Sequence, residues 1–213
     1  MRALEFVKES KPNLPDGGDC FESALEELMY SNPFGKDHMD NMTLVHAIVT
    51  GQGKIEGLRY GHAWNEIGDV VVVAPDSPQS GMGHAVTINE TLYCNEIKVD
   101  EGPQKEYKSS GTPADCIKLA VSEILDRKPD LCVSGINHGS NSSINVIYSG
   151  TMSAAVEAGV EGIPAIGFSL LDYSWNANFN PLKPFIKQVV LNVLENGLPD
   201  GVVLNVNFPK LLD

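Results

Sequence analysis

Two places in this chain put a glycine and a threonine directly at the start of a predicted helix: Gly111-Thr112, followed by Pro113, and Ser149-Gly150-Thr151. The first N–H groups of a helix have no intrahelical acceptor and carry the positive end of its dipole, so each start favours an anion. A Ser or Thr at such a position also caps its own helix, and that alternative stands beside the first. Residues 130 to 169, which contain the second start, read as an apolar strand, a loop dense in Gly, Ser and Asn, a small-residue helix and another apolar strand. A parallel sheet places such loops at the carboxyl ends of its strands, where ligands bind, so the run predicts a phosphate-handling α/β protein. Asn137 and Asn141 flank Gly139 in this loop, where Asn also suits a turn with positive φ. His84 and His138 are open to a substrate role or a surface one.

The amino-terminal end offers a different chemistry. Cys20 follows Asp19, a predicted helix cap, which places its sulfur in a first turn where the dipole stabilises a thiolate. His62 lies in the alternating segment Tyr60 to Ile67, which can form a strand against that helix. A Cys at a helix start with a later strand His is a nucleophile and base arrangement, provided the two side chains meet; the alternative is a partly buried thiol and a hydrogen-bonded imidazole. Cys116 and Cys132 fall in a predicted helix and strand and read as buried reduced thiols. The four cysteines show no paired metal-ligand spacing, so no zinc site is expected.

These groups need elements to hold them. In the first 66 residues one strong helix is visible, with Phe21, Ala24, Leu25, Leu28 and Met29 on one stripe, followed by the apolar run Leu44 to Val49. From Val70 onward strand and helix signals alternate. Val70 to Val73 reads as a strand buried on both faces. Further strand signals lie at Ala85 to Ile88, near Ile97 to Val99, at Leu131 to Val133, Ala165 to Phe168 and Val202 to Val206. Helices are predicted after Thr112, around Met152 to Val160, and over Leu182 to Leu194. The alternation predicts a right-handed, mostly parallel, three-layer sheet, with an organisational boundary near residues 65 to 70.

Composition limits the partners. The 213 residues are 42% hydrophobic, enough for a sizeable core, and carry 28 acidic against 15 basic side chains for a formal net charge of −13. That field repels a phosphate polymer, so no nucleic acid polymer is expected as a partner. No apolar run approaches the ~20 residues that span a bilayer, and the N-terminus lacks the apolar core of a secretory signal. No membrane association and a cytoplasmic location are expected.

The motifs APDSPQSGMGHAVTI, SSGTPADCIKLAV, VSGINHGSN and YSGTMSAAVEAG, in this order and spacing, resemble the SurE family of metal-dependent nucleotidases over residues 67 to 213. The resemblance implies a three-layer α/β/α sandwich with a Rossmann-like sheet, and a phosphomonoesterase acting on nucleoside 5′- and 3′-monophosphates. Carried over residue by residue, Ser80 and Asn137 match metal ligands for Mg²⁺ or Mn²⁺. Asn141 and Ser149-Gly150-Thr151 match the phosphate-receiving part, with Gly111 and Thr112 as a second helix start. Family members assemble into homo-oligomers.

The chain also departs from the family. Its members carry an Asn-Asp-Asp-Gly motif after a first strand, with two aspartates as principal metal ligands, and this sequence has no such motif. Residues 1 to 66 are therefore expected to be a heterologous segment and the sheet to lack its usual first strand. The chain is expected to be truncated at both ends, to bind metal weakly and to assemble doubtfully. Asp16, Asp19 and Asp76 are the substitute acids nearest in sequence. The segment GDCFESALEEL…YGHAWNE loosely resembles small papain- or transglutaminase-like phage and bacterial proteins, which makes a Cys20/His62 hydrolase the alternative enzyme. A catalytically dead binding module is the non-enzymatic alternative.

Overall fold

Four consecutive valines, Val70 to Val73, suit a strand covered on both faces, and they form the heart of β2 (Asp69–Pro75). The computed structural model describes residues 43–47, 69–98, 104–174 and 177–210, the first of these segments by its backbone. β2 joins β1 (Thr43–Ala47), β3 (Cys94–Ile97), β4 (Lys105–Ser109), β5 (Leu131–His138), β6 (Ala165–Leu170) and β7 (Leu204–Phe208) in one sheet. The seven strands run in the order β3-β4-β2-β1-β5-β6-β7. Every neighbouring pair is parallel except β3 with β4.

Helices cover both faces, giving the expected α/β/α sandwich. On one face Val71, Val73 and Cys132 pack with α1 (Pro113–Leu119) and α2 (Gly150–Val160) through Cys116, Ile117 and Ala155. On the other, Val70, Val72, Leu131 and Val133 meet Ile186, Val190 and Val193 of α3 (Lys183–Asn196). The period of two along each strand produces this division. Each valine of β2 withdrawn from water contributes roughly 1.5–3 kcal/mol. The alanine and glycine content of α2, with Ala154, Ala155 and Ala158 all buried, brings that helix close to the sheet. Among the described residues no helix is long and apolar enough to cross a membrane.

Three local expectations change. The sheet expected to lack a first strand has β1 at its centre, Thr43 to Ala47 pairing with Asp69 to Val73 on one side and Leu44 to Ala47 with Leu131 to Ser134 on the other. The apolar and β-branched run TLVHA is suited to that place. Ala85 to Ile88 forms no strand: the Ala85 carbonyl accepts from Thr112 Oγ1 at 2.6 Å and the Thr87 N–H donates to Asp115, so this backbone serves the start of α1 instead of a ladder. β4, sequence KEYKS, carries too few apolar residues to announce itself, yet it pairs with both β2 and β3.

From β1 the chain builds outward through β2 and β4, then returns to the opposite side of β1 with β5. The winding reverses between β1 and β5. In open α/β sheets the crevice at the carboxyl ends of strands on either side of such a reversal is the ligand site.

Candidate functional site

Two polar rows cross the carboxyl end of the sheet. Ser134 of β5 is in register with Gly167 of β6 and Asn205 of β7; Asn137, Ser169 and Asn207 form the next row. A bulge between Ser134 and Asn137 separates the rows on β5, and such irregularities re-aim side chains at strand ends. Ser134, Asn137, Ser169 and the following Asn141 are all buried.

Their hydrogen bonds form a network with gaps. Asn137 Nδ2 donates to Asn141 Oδ1 at 2.8 Å and to the Gly139 carbonyl at 3.1 Å. Ser169 Oγ also donates to Gly139. Gly139 N–H in turn donates to the Leu170 carbonyl at 2.7 Å, anchoring the loop to β6. Yet Ser134 Oγ, Asn137 Oδ1, Asn141 Nδ2 and Thr151 Oγ1 are buried with no hydrogen-bond partner among the described residues. Leaving such a group unpaired costs roughly 1–3 kcal/mol. One acceptor, one amide donor and two hydroxyls, all unsatisfied, constitute a built polar cradle.

Thr151 belongs to the first turn of α2, which packs on β5 and β6. Ser149 caps the helix, its Oγ accepting from the Met152 N–H at 3.1 Å, and the first turn holds no acidic side chain. Gly167 sets how near the helix comes: a Cβ there would run into Met152 Sδ and lie 3.7 Å from Thr151 Cγ2. Thr151 therefore sits beside the Gly167 position that is in register with Ser134.

The other helix start is closed. Thr112 and Asp115 form a reciprocal capping box at α1. Asp115 accepts from the Thr112 N–H at 2.9 Å and from Thr87 Oγ1 at 2.6 Å. Gly111 packs against the side chains of Asp115 and Leu92. Burial raises the Asp115 pKa, but the hydrogen bonds from Thr87 and Thr112 outweigh it and hold the carboxyl below its ordinary range. A carboxylate of the chain itself already occupies this helix start.

Ser80 lies exposed on the turn after β2. That turn is tied to the approach to α2, the Gly83 N–H donating to the Tyr148 carbonyl at 3.2 Å. Gly83 has φ +58°, and a Cβ there would lie 2.6 Å from the Ile147 carbonyl oxygen, so only glycine permits the approach. His84 continues the link: its Nε2 donates to Glu157 Oε2 of α2 at 2.6 Å, while Lys118 of α1 lies 2.5 Å from Glu157 Oε1. Burial raises the pKa of Glu157, and the bonds from Lys118 and His84 together with their charges pull it below the ordinary value. His138 instead packs edge-to-face on Phe179 at 4.8 Å.

The structure thus gathers Asn137, Asn141, Ser149, Gly150 and Thr151 at one strand end, and gives Gly111 and Thr112 a closed capping role. Asp76 is exposed at the end of β2. Asp16, Asp19, Cys20 and His62 lie outside the described residues. Cys116 and Cys132 are buried and free, with burial pushing the Cys132 thiol up to about 12. Sequence reasoning missed Ser134, Ser169, Asn205, Asn207 and the His84–Glu157–Lys118 cluster. The repeated Asn of LNVNF was the available signal, because alternate residues of a strand share a face.

Asn137 Oδ1, a buried amide oxygen without a partner among the described residues, fits one ligand position of an oxygen-preferring divalent cation. Ser80 offers a second neutral oxygen. Among the described residues no group of three or more His, Cys, Asp or Glu side chains gathers to hold a metal.

Comparison with known proteins gives a consistent result. The family described as "Survival protein SurE" matches residues 54–213, and so takes in residues upstream of the expected start at 67. A protein named 5′-nucleotidase SurE from Christiangramia forsetii is 75% identical over 147 residues, 68% of this chain and 56% of that protein. Its namesake from Chlorobium chlorochromatii is 42% identical over 178 residues, 82% of this chain and 65% of that protein. The crystal structure of the Sure protein from Aquifex aeolicus superposes with a TM-score of 0.66 at 39% identity, covering 80% of this chain and 66% of that one. The chain spans about half the length of the Christiangramia relative and about two thirds of the Aquifex one.

Proposed function

The chain belongs to the survival protein SurE family, and from that membership we propose that its strand-end cradle receives the phosphate of a nucleoside 5′- or 3′-monophosphate for metal-dependent phosphomonoester hydrolysis. The observation that carries the reading is the set of four buried polar atoms without partners, Ser134 Oγ, Asn137 Oδ1, Asn141 Nδ2 and Thr151 Oγ1. A phosphate ester satisfies the donors: Asn141 Nδ2 and Thr151 Oγ1 donate to its oxygens, and the first N–H groups of α2 add an anion-favouring dipole. Thr112 and Gly111 take no part in that binding, because Asp115 fills their place. This local field lets a phosphate monoester approach a chain whose net charge is −13.

Mg²⁺ or Mn²⁺ would be held by Asn137 Oδ1, the unpaired acceptor, with Ser80 Oγ as a second neutral ligand. When bound, a divalent cation supplies Lewis-acid chemistry at the phosphoryl group. Two neutral oxygens do not offset the dehydration of a hard dication, and the sequence lacks the Asn-Asp-Asp-Gly motif. The phosphate half of the site is therefore proposed as intact and the metal half as impaired, so that nucleotide binding outlasts turnover.

The test is calorimetric titration with AMP, paired with phosphate release in Mn²⁺, Mg²⁺ or EDTA, on the wild-type chain and Asn137→Ala. AMP binding that persists in EDTA, with slow release that needs both metal and Asn137, is the expected result. Absence of AMP binding by the folded chain would sink the reading. Fast metal-dependent release would instead show the metal half to be complete.

A further inference from the structure

Asn141 has four hydrogen-bonding groups, and three of them are taken by the protein. Its N–H donates to Asn207 Oδ1 at 2.9 Å, its carbonyl accepts from Asn205 Nδ2 at 2.8 Å, and its Oδ1 accepts from Asn137 Nδ2 at 2.8 Å. Only Nδ2 is left, buried and without a partner among the described residues. The two β7 residues are themselves coupled, Asn207 Nδ2 donating to Asn205 Oδ1 at 2.8 Å. Leu204, Val206 and Phe208 of the same strand pack on the α3 side of the sheet, so alternation turns Asn205 and Asn207 toward the α2 side. The loop after β5 is thus gripped by a strand two places away in the sheet, through the N–H before the Asn141 Cα and the carbonyl after it, which belong to successive peptide units.

We propose that Asn205 and Asn207 are positioning residues for the phosphate-receiving Asn141, a clamp that fixes its backbone so that its planar amide presents Nδ2 to the phosphate. The proposal rests on the phosphate reading above and adds a role for β7. A clamp of this kind costs nothing further when ligand arrives, because the donor is oriented beforehand. A loop held for stability alone has no reason to leave its one buried donor unpaired, since pairing it stabilises the fold.

The experiment measures binding of AMP and of inorganic phosphate to the full chain by titration calorimetry, for wild type, Asn141→Ala, Asn205→Ala, Asn207→Ala and the double variant Asn141→Ala/Asn207→Ala. Each single change is expected to weaken both probes about fivefold to tenfold, the equivalent of one buried hydrogen bond. The double variant is expected to bind no more weakly than Asn141→Ala alone, because a clamp has nothing to position once the amide is gone. Additive losses in the double variant, or unchanged affinity in both β7 single variants, would overturn the clamp while leaving the phosphate reading in place. If Asn207→Ala does not fold, Asn205→Ala and its double with Asn141→Ala carry the same comparison, Asn205 being exposed. Failure of wild type to bind either probe would overturn the phosphate reading and the clamp together, before any variant is compared.

Discussion

At the start of α1 the Thr112 hydroxyl, the Asp115 carboxylate and the peptide groups of Ala85 and Thr87 satisfy one another, whereas at the start of α2 the Thr151 hydroxyl is buried with no partner among the described residues. A glycine and a threonine stand at each start, Thr112 as the cap of α1 and Thr151 one residue inside α2, which Ser149 caps, and both starts are buried against the same face of the sheet. They differ in the position of the threonine and in one carboxylate. Asp115 supplies the negative charge that the dipole of α1 favours, while the first turn of α2 has no acid and so keeps its field for something else. At α1 the chain supplies both the cap and the charge, whereas at α2 Ser149 supplies a cap and no charge.

The sharpest way to break this contrast is Asp115→Ala. It strands three donors, the N–H groups of Thr87 and Thr112 and the Thr87 hydroxyl, and is expected to cost about 3 kcal/mol in chemical denaturation. AMP affinity of the chain that remains folded is expected to be unchanged. Gly167→Ala comes next. Its Cβ drives against Met152 Sδ at the beginning of α2, with an expected loss of about 2 kcal/mol. Here the affinity falls as well, because the displaced helix carries Thr151, and titration calorimetry beside denaturation separates the two effects.

A matched pair of smaller changes tests the same distinction hydroxyl by hydroxyl. Thr112→Val removes a helix cap and is expected to cost roughly 1–2 kcal/mol of stability with AMP affinity unaltered. Thr151→Val removes an unsatisfied polar atom, so stability holds or rises by up to about 1 kcal/mol while AMP affinity drops about tenfold. Parallel behaviour of the two variants would erase the difference between the two helix starts.

Much of the frame was legible in the sequence because it depends on local pattern. Four valines in a row, the Pro113 helix start and the stripes of α2 and α3 each announce themselves within a few residues. The run Leu44 to Val49 was also visible as apolar, but the place of its first four residues at the centre of the sheet depends on pairing with β2 and β5, which no local pattern records. For the site, spacing alone gave Thr112 and Thr151 the same two alternatives. What separates them is Thr87, 28 residues from Asp115 in the chain, turned toward that carboxylate. Likewise the grip of Asn205 on Asn141 spans 64 residues and becomes readable only once β7 lies two strands from β5.

The smallest expected effect concerns the cluster that ties the two helix starts together. Glu157 of α2 accepts from His84 beside the Ser80 turn and pairs with Lys118 of α1, so one carboxylate braces the closed start against the open one. Its folded-state pKa lies below the ordinary 4.5, despite burial that acts the other way. A depressed carboxylate stabilises the fold when ionised: the contribution is fully present above the unfolded value and is lost as pH falls from there through the lower folded value. Stability is therefore expected to decline as pH drops below about 4.5, the ordinary glutamate value. Asp115 titrates with the same sign, so the wild-type curve alone does not isolate Glu157. The difference between wild type and Glu157→Gln does: the amide does not ionise, and the stability gap between the two chains is expected to narrow on acidification. A gap that stays constant from neutral pH to below 4.5 would place the brace in packing instead of charge.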